Sequence, residues 1–188
     1  MISEQELKEL KNKLNNLEKK DIDLIISDFD DTIFCRNEQL KDSELLRNNR
    51  WNKWNNIIIK EIWKNKYFET YYKNKVYPQS ISSKLRKNHD LILTAWYKEL
   101  QKEKLKACKL DHINYHIVEN AEDKIIETIK YITNKLKFLP KEITVYEDRP
   151  KYFIEYKNFL ENFIWIEIHI MYVEMIDNNN EPKITKID

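Results

Sequence analysis

Glycine is absent from this chain of 188 residues. Average usage is about 7%, which predicts roughly a dozen glycines in a domain of this size. Any position that needs a positive φ must therefore hold another residue, and Asn and Asp are the next best tolerated. We expect Asn or Asp at such positions, for example in a turn at 178–180.

Cysteines are few, and long apolar runs are missing. Cys35 and Cys108 fit neither a disulfide scaffold nor a metal-binding knuckle, which favours a reducing compartment. The longest apolar run, 163–173, is broken by Glu167 and His169 and is too short to span a membrane. A net charge of +1 gives no overall basic field, and the N-terminus lacks the layout of a signal peptide. These absences predict a soluble cytoplasmic protein with no membrane partner.

The apolar segments that are present alternate between strand-like and helix-like patterns. Short apolar runs predict strands at 24–27, 91–94, 113–118, 143–146, 164–173 and 183–187. Helices are predicted at 3–19, 121–137 and 150–162, and a basic helix at 96–108. This alternation is typical of parallel sheets with right-handed crossovers. The expected fold class is α/β, a Rossmann-like, doubly wound parallel sheet in three α/β/α layers.

The chain is long enough for one domain with a small insert. Residues 1–20 are expected to form an N-terminal helix, either packed on the domain, which we favour, or extended as a short coiled-coil arm. Residues 21–188 are expected to form the α/β domain. A polar, aromatic-rich helical insert interrupts it at about 36–88 and is called the aromatic insert below.

The aromatic insert has two interpretations. Trp51, Trp54 and Trp63 lie at near-helical spacing and are favoured as the core of a small helical cap. The alternative is that the same rings stack on nucleobases while neighbouring lysines contact phosphates. A cap of either kind would shape substrate choice and exclude water.

The most informative segment is the end of the first predicted strand, where Asp28, Asp30 and Thr32 follow an apolar run. Ligands of open α/β sheets bind beyond the carboxyl ends of the strands. Buried carboxylates are costly unless a cation or hydrogen bonds compensate them, so this pair indicates a metal ion. The pattern resembles the first motif of the haloacid-dehalogenase-like (HAD) phosphohydrolases. That resemblance implies that Asp28 is the nucleophile and Asp30 the general acid/base.

Three further segments resemble the remaining HAD motifs in the expected order. Thr94 closes the second predicted strand, and Lys124 lies in the first turns of a later helix. Glu147 and Asp148 end the strand at 143–146. The resemblance implies that Thr94 and Lys124 hold the phosphate. It also implies that Mg²⁺ is bound by Asp28, by Asp30 through its backbone carbonyl, and by Asp148 or Glu147.

The run Tyr-Glu-Asp-Arg-Pro at 146–150 is similar to a segment of the Swiss Army Knife RNA repair-like HAD family, as is the tryptophan-rich stretch at 51–55. The similarity spans roughly residues 24–160. Where that family usually has Thr-Gly-Arg, this chain has Thr-Ala-Trp at 94–96. Arg149 is expected either to bind substrate phosphate as a bidentate clamp or to orient the adjacent acidic pair.

Together these observations predict a Mg²⁺-dependent phosphohydrolase that forms an aspartyl-phosphate on a phosphomonoester substrate. The resemblance implies that the substrate is a nucleotide or an RNA end. One alternative is a HAD phosphatase of small metabolites. The other is a non-catalytic HAD-like module that binds RNA or protein.

Overall fold

The structure is a computed structural model that describes residues 3–33, 80–96, 98–174 and 182–187. Most of the aromatic insert, with its tryptophans, lies outside the described residues, and so does the expected turn at 178–180.

Six strands and four α-helices build the described part of the chain. In chain order they are α1 (Glu4–Asn15), β1 (Leu24–Ser27), β2 (Leu91–Ala95), α2 (Lys98–Ala107), β3 (Asn114–Val118), α3 (Asp123–Lys130), β4 (Glu142–Glu147), α4 (Lys151–Ile164), β5 (Glu167–Glu174) and β6 (Lys183–Ile187). A 3₁₀ turn at Ser82–Lys84 precedes β2, and α3 continues as a π-helix over Tyr131–Leu136. Each strand and helix predicted within the described residues is present, within a few residues of its predicted bounds.

The strands form one six-stranded sheet in the order β3-β2-β1-β4-β5-β6. The first five strands in this order are mutually parallel, and β6 pairs antiparallel with β5 at one edge. Ile26 of the central strand β1 pairs with Leu91 on one side and Val145 on the other. The chain therefore starts in the middle of the sheet, winds outward to β3, and then returns past β1 to β4. The expected Rossmann-like α/β fold is confirmed at this level.

Alternating side chains of the strands supply two separate cores, one on each face of the sheet. The larger core packs the sheet against α1, α3 and α4 through buried residues such as Leu14, Ile129 and Leu160. The smaller core packs the other face through Phe29 and through Leu105 of α2. Helices therefore cover both faces, which gives three layers. The strand order reverses between β1 and β4, which is where ligands bind in such sheets.

Residues at the end of the aromatic insert belong to the smaller core. Ile81 is fully buried and Leu85 is 8% exposed, and both pack with residues of the sheet. The boundaries proposed for the insert stay a prediction for residues 36–79.

Helix α1 packs on its own domain. The Ser3 hydroxyl caps the helix by accepting a hydrogen bond from Glu6 N at 3.2 Å. Leu10 and Leu14 are buried in the larger core. The Lys11 ammonium group donates to the Phe163 carbonyl at 2.6 Å, which ties the helix to the end of α4.

Asp90 links the starts of β1 and β2, at the end of the sheet opposite to the carboxyl ends of the parallel strands. Its fully buried carboxylate accepts hydrogen bonds from Ile25 N at 2.9 Å and from Arg86 N at 2.7 Å. The Arg86 guanidinium group adds two bonds to the same carboxylate at 2.9 Å, and it also donates to the Asp23 carbonyl. The hydrogen bonds that Arg86 donates to Asp90 are the largest cause of the raised pKa of Arg86.

The residues with positive φ differ from the expectation. Among the described residues they are Asp31, Trp96, Lys109, Lys137 and Trp165. The prediction of Asn or Asp is therefore wrong at all of them except Asp31. Two of the others end helices in the left-handed conformation, where the closing backbone hydrogen bond offsets a cost of about 1–2 kcal/mol per residue.

None of the described helices is both long and apolar enough to cross a lipid bilayer.

Candidate functional site

Asp28 lies at the carboxyl end of the central strand. Its backbone N–H donates to the Tyr146 carbonyl at 2.9 Å, which extends the β1–β4 pairing one residue beyond Ser27. The side chain is nearly buried, with Asp28 8% exposed. The strand pairing therefore fixes this carboxylate in the crevice where the strand order reverses.

Three carboxylates converge at this point. Oxygen atoms of Asp28, Glu147 and Asp148 all lie within 4.8 Å of one another. Asp28 Oδ1 is shielded from solvent, and the Lys124 ammonium nitrogen lies 2.9 Å from it. Several carboxylate oxygens in a small volume are the ligands that Mg²⁺ and Ca²⁺ prefer. The donor set therefore fits a hard divalent cation.

Lys124 is the buried cation of the site. Its ammonium nitrogen lies 2.9 Å from Asp28 Oδ1 and 2.7 Å from Glu147 Oε2, and the lysine side chain is only 5% exposed. Burial lowers the pKa of Lys124, but the carboxylates of Asp28 and Glu147 raise it by more, so the net shift is upward. The lysine therefore stays charged and links the ends of β1 and β4.

Glu147 shows that one lysine does not balance the site. Burial raises the pKa of Glu147 well above its usual value, the charge of Asp28 raises it further, and Lys124 opposes both. A carboxyl group in this position resists ionisation first because it is buried, and second because the charge of Asp28 is close. An additional cation beside Glu147 would relieve that excess.

Asp30 points to a different set of partners. Its Oδ2 accepts a hydrogen bond from Gln101 Nε2 at 2.7 Å, and its Oδ1 lies 2.7 Å from Lys104 Nζ. Both partners lie on α2 and are fully buried. In the described part of the chain, the Asp30 carboxylate does not join the three clustered carboxylates. Its side chain is therefore not placed as a metal ligand, and the predicted ligation through its backbone carbonyl stays a prediction.

Thr94 connects the end of β2 to the same group. Its hydroxyl is buried and accepts a hydrogen bond from Gln101 Nε2 at 3.0 Å. Because the oxygen accepts this bond, the hydroxyl hydrogen is left to donate elsewhere. Gln101 Oε1, by contrast, is buried and has no hydrogen-bond partner in the described structure, at a cost of about 1–3 kcal/mol.

Thr32 supports the acidic loop after β4. Its fully buried hydroxyl accepts a hydrogen bond from Asp148 N at 3.1 Å. This bond joins the turn after β1 to the turn after β4. It therefore orients Asp148 toward Asp28 without contributing a charge.

A cavity of about 490 Å³ opens above these residues. Its walls carry every site residue predicted from the sequence, together with aromatic and further charged side chains. The lining residues are Asp28, Asp30, Asp31, Thr94, Ala95, Trp96, Glu119, Ala121, Lys124, Glu147, Asp148, Arg149, Lys151, Tyr152 and Phe153. The four distant segments that carry the expected motifs therefore meet around one cavity.

Arg149 lies at the rim of this cavity. Its side chain is 65% exposed, and its Nε is 3.3 Å from Asp148 Oδ2. The ion pair corresponds to the orienting role that the sequence left open. The exposed guanidinium group keeps further donors directed to solvent at the cavity mouth, so the clamp role stays a prediction.

The turn after β2 has Ala95 at the position where the resembled family usually has glycine, and Ala95 does not adopt a positive φ. The positive φ falls instead on Trp96, at 144°. Trp96 lines the cavity, and its ring lies 5.1 Å from Lys104 Nζ. An aromatic side chain therefore stands where the resembled family usually has an arginine.

Sequence reasoning missed Gln101 and Lys104. Helix 96–108 was expected only as a basic helix. The signal was present, because Gln101, Lys104, Leu105 and Cys108 lie at spacings of three and four, which place polar residues on the inward face. A lysine and a glutamine on a buried helix face require polar partners.

Comparison of the chain with protein-family models, with curated proteins and with solved structures finds no match.

Proposed function

We propose that this protein is a Mg²⁺-dependent phosphohydrolase of the HAD type that acts on a phosphomonoester through an aspartyl-phosphate intermediate. The observation that carries this proposal is the convergence of Asp28, Glu147 and Asp148 within 4.8 Å, with Lys124 paired to two of them. This set lies at the ligand-binding crevice of the sheet.

Asp28 is the nucleophile. One of its carboxylate oxygens attacks phosphorus, the bond from phosphorus to the leaving oxygen breaks, and the phosphoryl group remains on Asp28. Lys124 holds the attacking carboxylate in position, since its ammonium group lies 2.9 Å away. In the second step, a water oxygen attacks phosphorus and releases Asp28 as the leaving carboxylate.

Asp30 moves the protons of both steps. It gives a proton to the leaving oxygen in the first step and takes one from the attacking water in the second. Two residues along the chain from Asp28, it lines the same cavity. Its separate set of partners keeps it out of the charge cluster, so that the two aspartates have different environments.

Thr94, Lys124 and Arg149 hold the transferring group. The free hydrogen of the Thr94 hydroxyl donates to a phosphate oxygen, and Lys124 offsets its charge. Arg149 adds donors from the cavity rim. Asp28, Glu147 and Asp148 would hold Mg²⁺, which when bound neutralises the negative charge of the transferring phosphoryl group.

The substrate we propose is a nucleotide or a phosphorylated RNA end. A cavity of about 490 Å³ has room for one nucleotide, and Trp96 and Tyr152 offer aromatic faces on its walls. A panel of nucleotides, 5′- and 3′-phosphorylated oligoribonucleotides and sugar phosphates, each with Mg²⁺ and with EDTA, tests this class. Faster turnover of sugar phosphates would favour a metabolite phosphatase. RNA binding in EDTA with no hydrolysis of any compound would favour a binding module.

The experiment that tests the mechanism is Asp28→Asn, assayed with a generic aryl phosphate. We expect Mg²⁺-dependent hydrolysis to be abolished, since an amide is not a nucleophile for phosphorus. Glu119→Gln is the matched control, because Glu119 lines the same cavity but lies outside the three clustered carboxylates. Wild-type turnover by Asp28→Asn would show that Asp28 is not the nucleophile.

A further inference from the structure

Two buried residues of α2 hold opposite oxygens of one carboxylate. Gln101 and Lys104 are three positions apart, so that both side chains leave the same face of the helix. Gln101 Nε2 lies 2.7 Å from Asp30 Oδ2, and Lys104 Nζ lies 2.7 Å from Asp30 Oδ1. Two donors on two oxygens fix both the position and the plane of the carboxylate.

The glutamine amide also joins Asp30 to Thr94. Its Nε2 carries two hydrogens, and the two short contacts run to Asp30 Oδ2 and to Thr94 Oγ1 at 3.0 Å. The opposite orientation of the amide would place Oε1 against the Asp30 carboxylate and is repulsive. In the observed orientation Nε2 donates to both Asp30 and Thr94, although the buried Oε1 has no partner. The unpaired oxygen lowers stability, so the gain from this orientation lies in the two bonds that the amide donates.

Lys104 is placed unusually for a lysine. It is completely buried, and its ammonium group is directed at Asp30 on one side and lies 5.1 Å from the Trp96 ring on the other. Lysines are almost never fully buried without a charged partner. Because its whole side chain is buried, Lys104 places a fixed positive charge beside Asp30 and not in the open cavity. Asp30 is the group that transfers the proton.

We infer that Gln101 and Lys104 are positioning residues that aim the Asp30 carboxyl group at the leaving oxygen and couple its position to Thr94. The inference rests on the proposed function of Asp30. In the step concerned, the bond from phosphorus to the leaving oxygen breaks, and the proton passes from Asp30 to that oxygen. Misaligned Asp30 would leave attack by Asp28 intact and impair both of its proton transfers, of which only the one to the leaving oxygen depends on the leaving group.

The dependence of rate on the leaving group tests this role. Lys104→Met and Gln101→Leu keep approximate size and remove the donors. Steady-state kinetics are measured with an activated aryl phosphate, whose phenolate leaves without a proton, and with an alkyl phosphate, whose alkoxide requires one. We expect kcat/KM, which does not include the later hydrolysis of the phosphoryl-enzyme, to fall by about 10–100-fold for the alkyl ester in each variant, and by less than about 5-fold for the aryl ester.

Lys102→Met is the matched control, because Lys102 lies on the same helix and does not line the cavity. It is expected to leave both rates unchanged. Asp30→Asn provides the reference pattern, and Lys104→Met in that background is expected to add little, since the two residues act as a unit. If Lys104→Met fails to fold by circular dichroism, Gln101→Leu alone decides.

Equal losses on both esters, or no loss on either, would overturn the positioning role while leaving the proposed hydrolase intact. Wild-type protein that hydrolyses neither ester with Mg²⁺, and no member of the substrate panel, would overturn the proposed function itself. The two failures are therefore distinguishable.

Discussion

Replacement of Lys124 by methionine is the most revealing perturbation of the buried site. The substitution keeps the length of the side chain and removes a charge that lies 2.9 Å from Asp28 Oδ1 and 2.7 Å from Glu147 Oε2. All three side chains are at most 10% exposed. The variant therefore retains two buried carboxylates and loses the ammonium group between them.

The size of the effect follows from this burial. Removal of one partner from a buried ion pair typically costs about 3–5 kcal/mol, because the remaining charge is left uncompensated. We expect a loss of this size in the free energy of unfolding at about pH 8 without Mg²⁺. The loss should be smaller at about pH 5, where the carboxyl groups take up protons.

The sign of this pH dependence follows from Glu147, whose folded-state pKa is already raised, chiefly by burial. A group of this kind contributes stability that is full below its unfolded pKa and is lost as pH rises through its folded pKa. Lys124 lowers the pKa of Glu147, so its removal raises that pKa further. The free energy of unfolding of the variant is therefore lowered most at alkaline pH.

Urea denaturation at the two pH values, followed by circular dichroism, measures both quantities. Lys130→Met is the matched control, since Lys130 pairs with Glu6 at 3.0 Å and Glu127 at 3.2 Å but is 33% exposed. Its loss should be about 0.2–1 kcal/mol. A loss below about 1 kcal/mol for Lys124→Met, or a loss that does not change with pH, would refute the argument from buried charge.

Three further substitutions probe the support of the site and of the fold. Thr32→Val removes the acceptor of the hydrogen bond from Asp148 N at 3.1 Å and should weaken Mg²⁺ binding by about 10–100-fold in calorimetric titrations. Asp90→Ala removes the acceptor of the backbone N–H groups of Ile25 and Arg86 and the partner of the Arg86 guanidinium group, which is 44% exposed, and should lower the free energy of unfolding by about 1–3 kcal/mol. Lys137→Gly relieves the left-handed conformation at φ 59° and should stabilise the protein by about 0.5–1 kcal/mol in urea denaturation.

Two of these substitutions, Thr32→Val and Lys137→Gly, have a control with no effect or the opposite effect. Thr133→Val makes the same change as Thr32→Val, but the Thr133 hydroxyl bonds only its own helix, and Mg²⁺ affinity should not move. Lys135→Gly places glycine inside a helix and should destabilise by about 1 kcal/mol. Unchanged Mg²⁺ affinity in Thr32→Val would contradict the role given to that hydroxyl. A destabilised Lys137→Gly, or an Asp90→Ala variant as stable as the parent, would contradict the local arguments.

The strands and helices are predicted well by the sequence because each carries a clear apolar period. The sequences of β1 and β4 are short apolar runs, and each run ends at the acidic residues that form the site. In a parallel sheet the carboxyl ends of neighbouring strands meet, so the proximity of Asp28 and Glu147 follows from topology alone. Burial of Lys124 does not follow from its position along the chain, because many lysines share that local pattern.

Other features depend on contacts that local patterns do not encode. The π-helical continuation of α3 keeps an amphipathic pattern close to that of an α-helix, so the sequence at 121–137 predicts one continuous helix. Left-handed lysine and tryptophan residues occur where helix ends require them, whatever the residue preference. The partners of Asp30 lie 71 and 74 positions away, on a helix that the sequence predicts only as basic.

The most direct test of the account is detection of the phosphoryl group on Asp28. The protein is mixed with Mg²⁺ and an aryl phosphate, quenched in acid during turnover, and digested for mass spectrometry. We expect a phosphoryl adduct on the peptide that contains Asp28, absent in EDTA and absent from Asp28→Asn. Hydrolysis of the ester by a protein that never carries this adduct, or that carries it on another residue, would contradict the central claim.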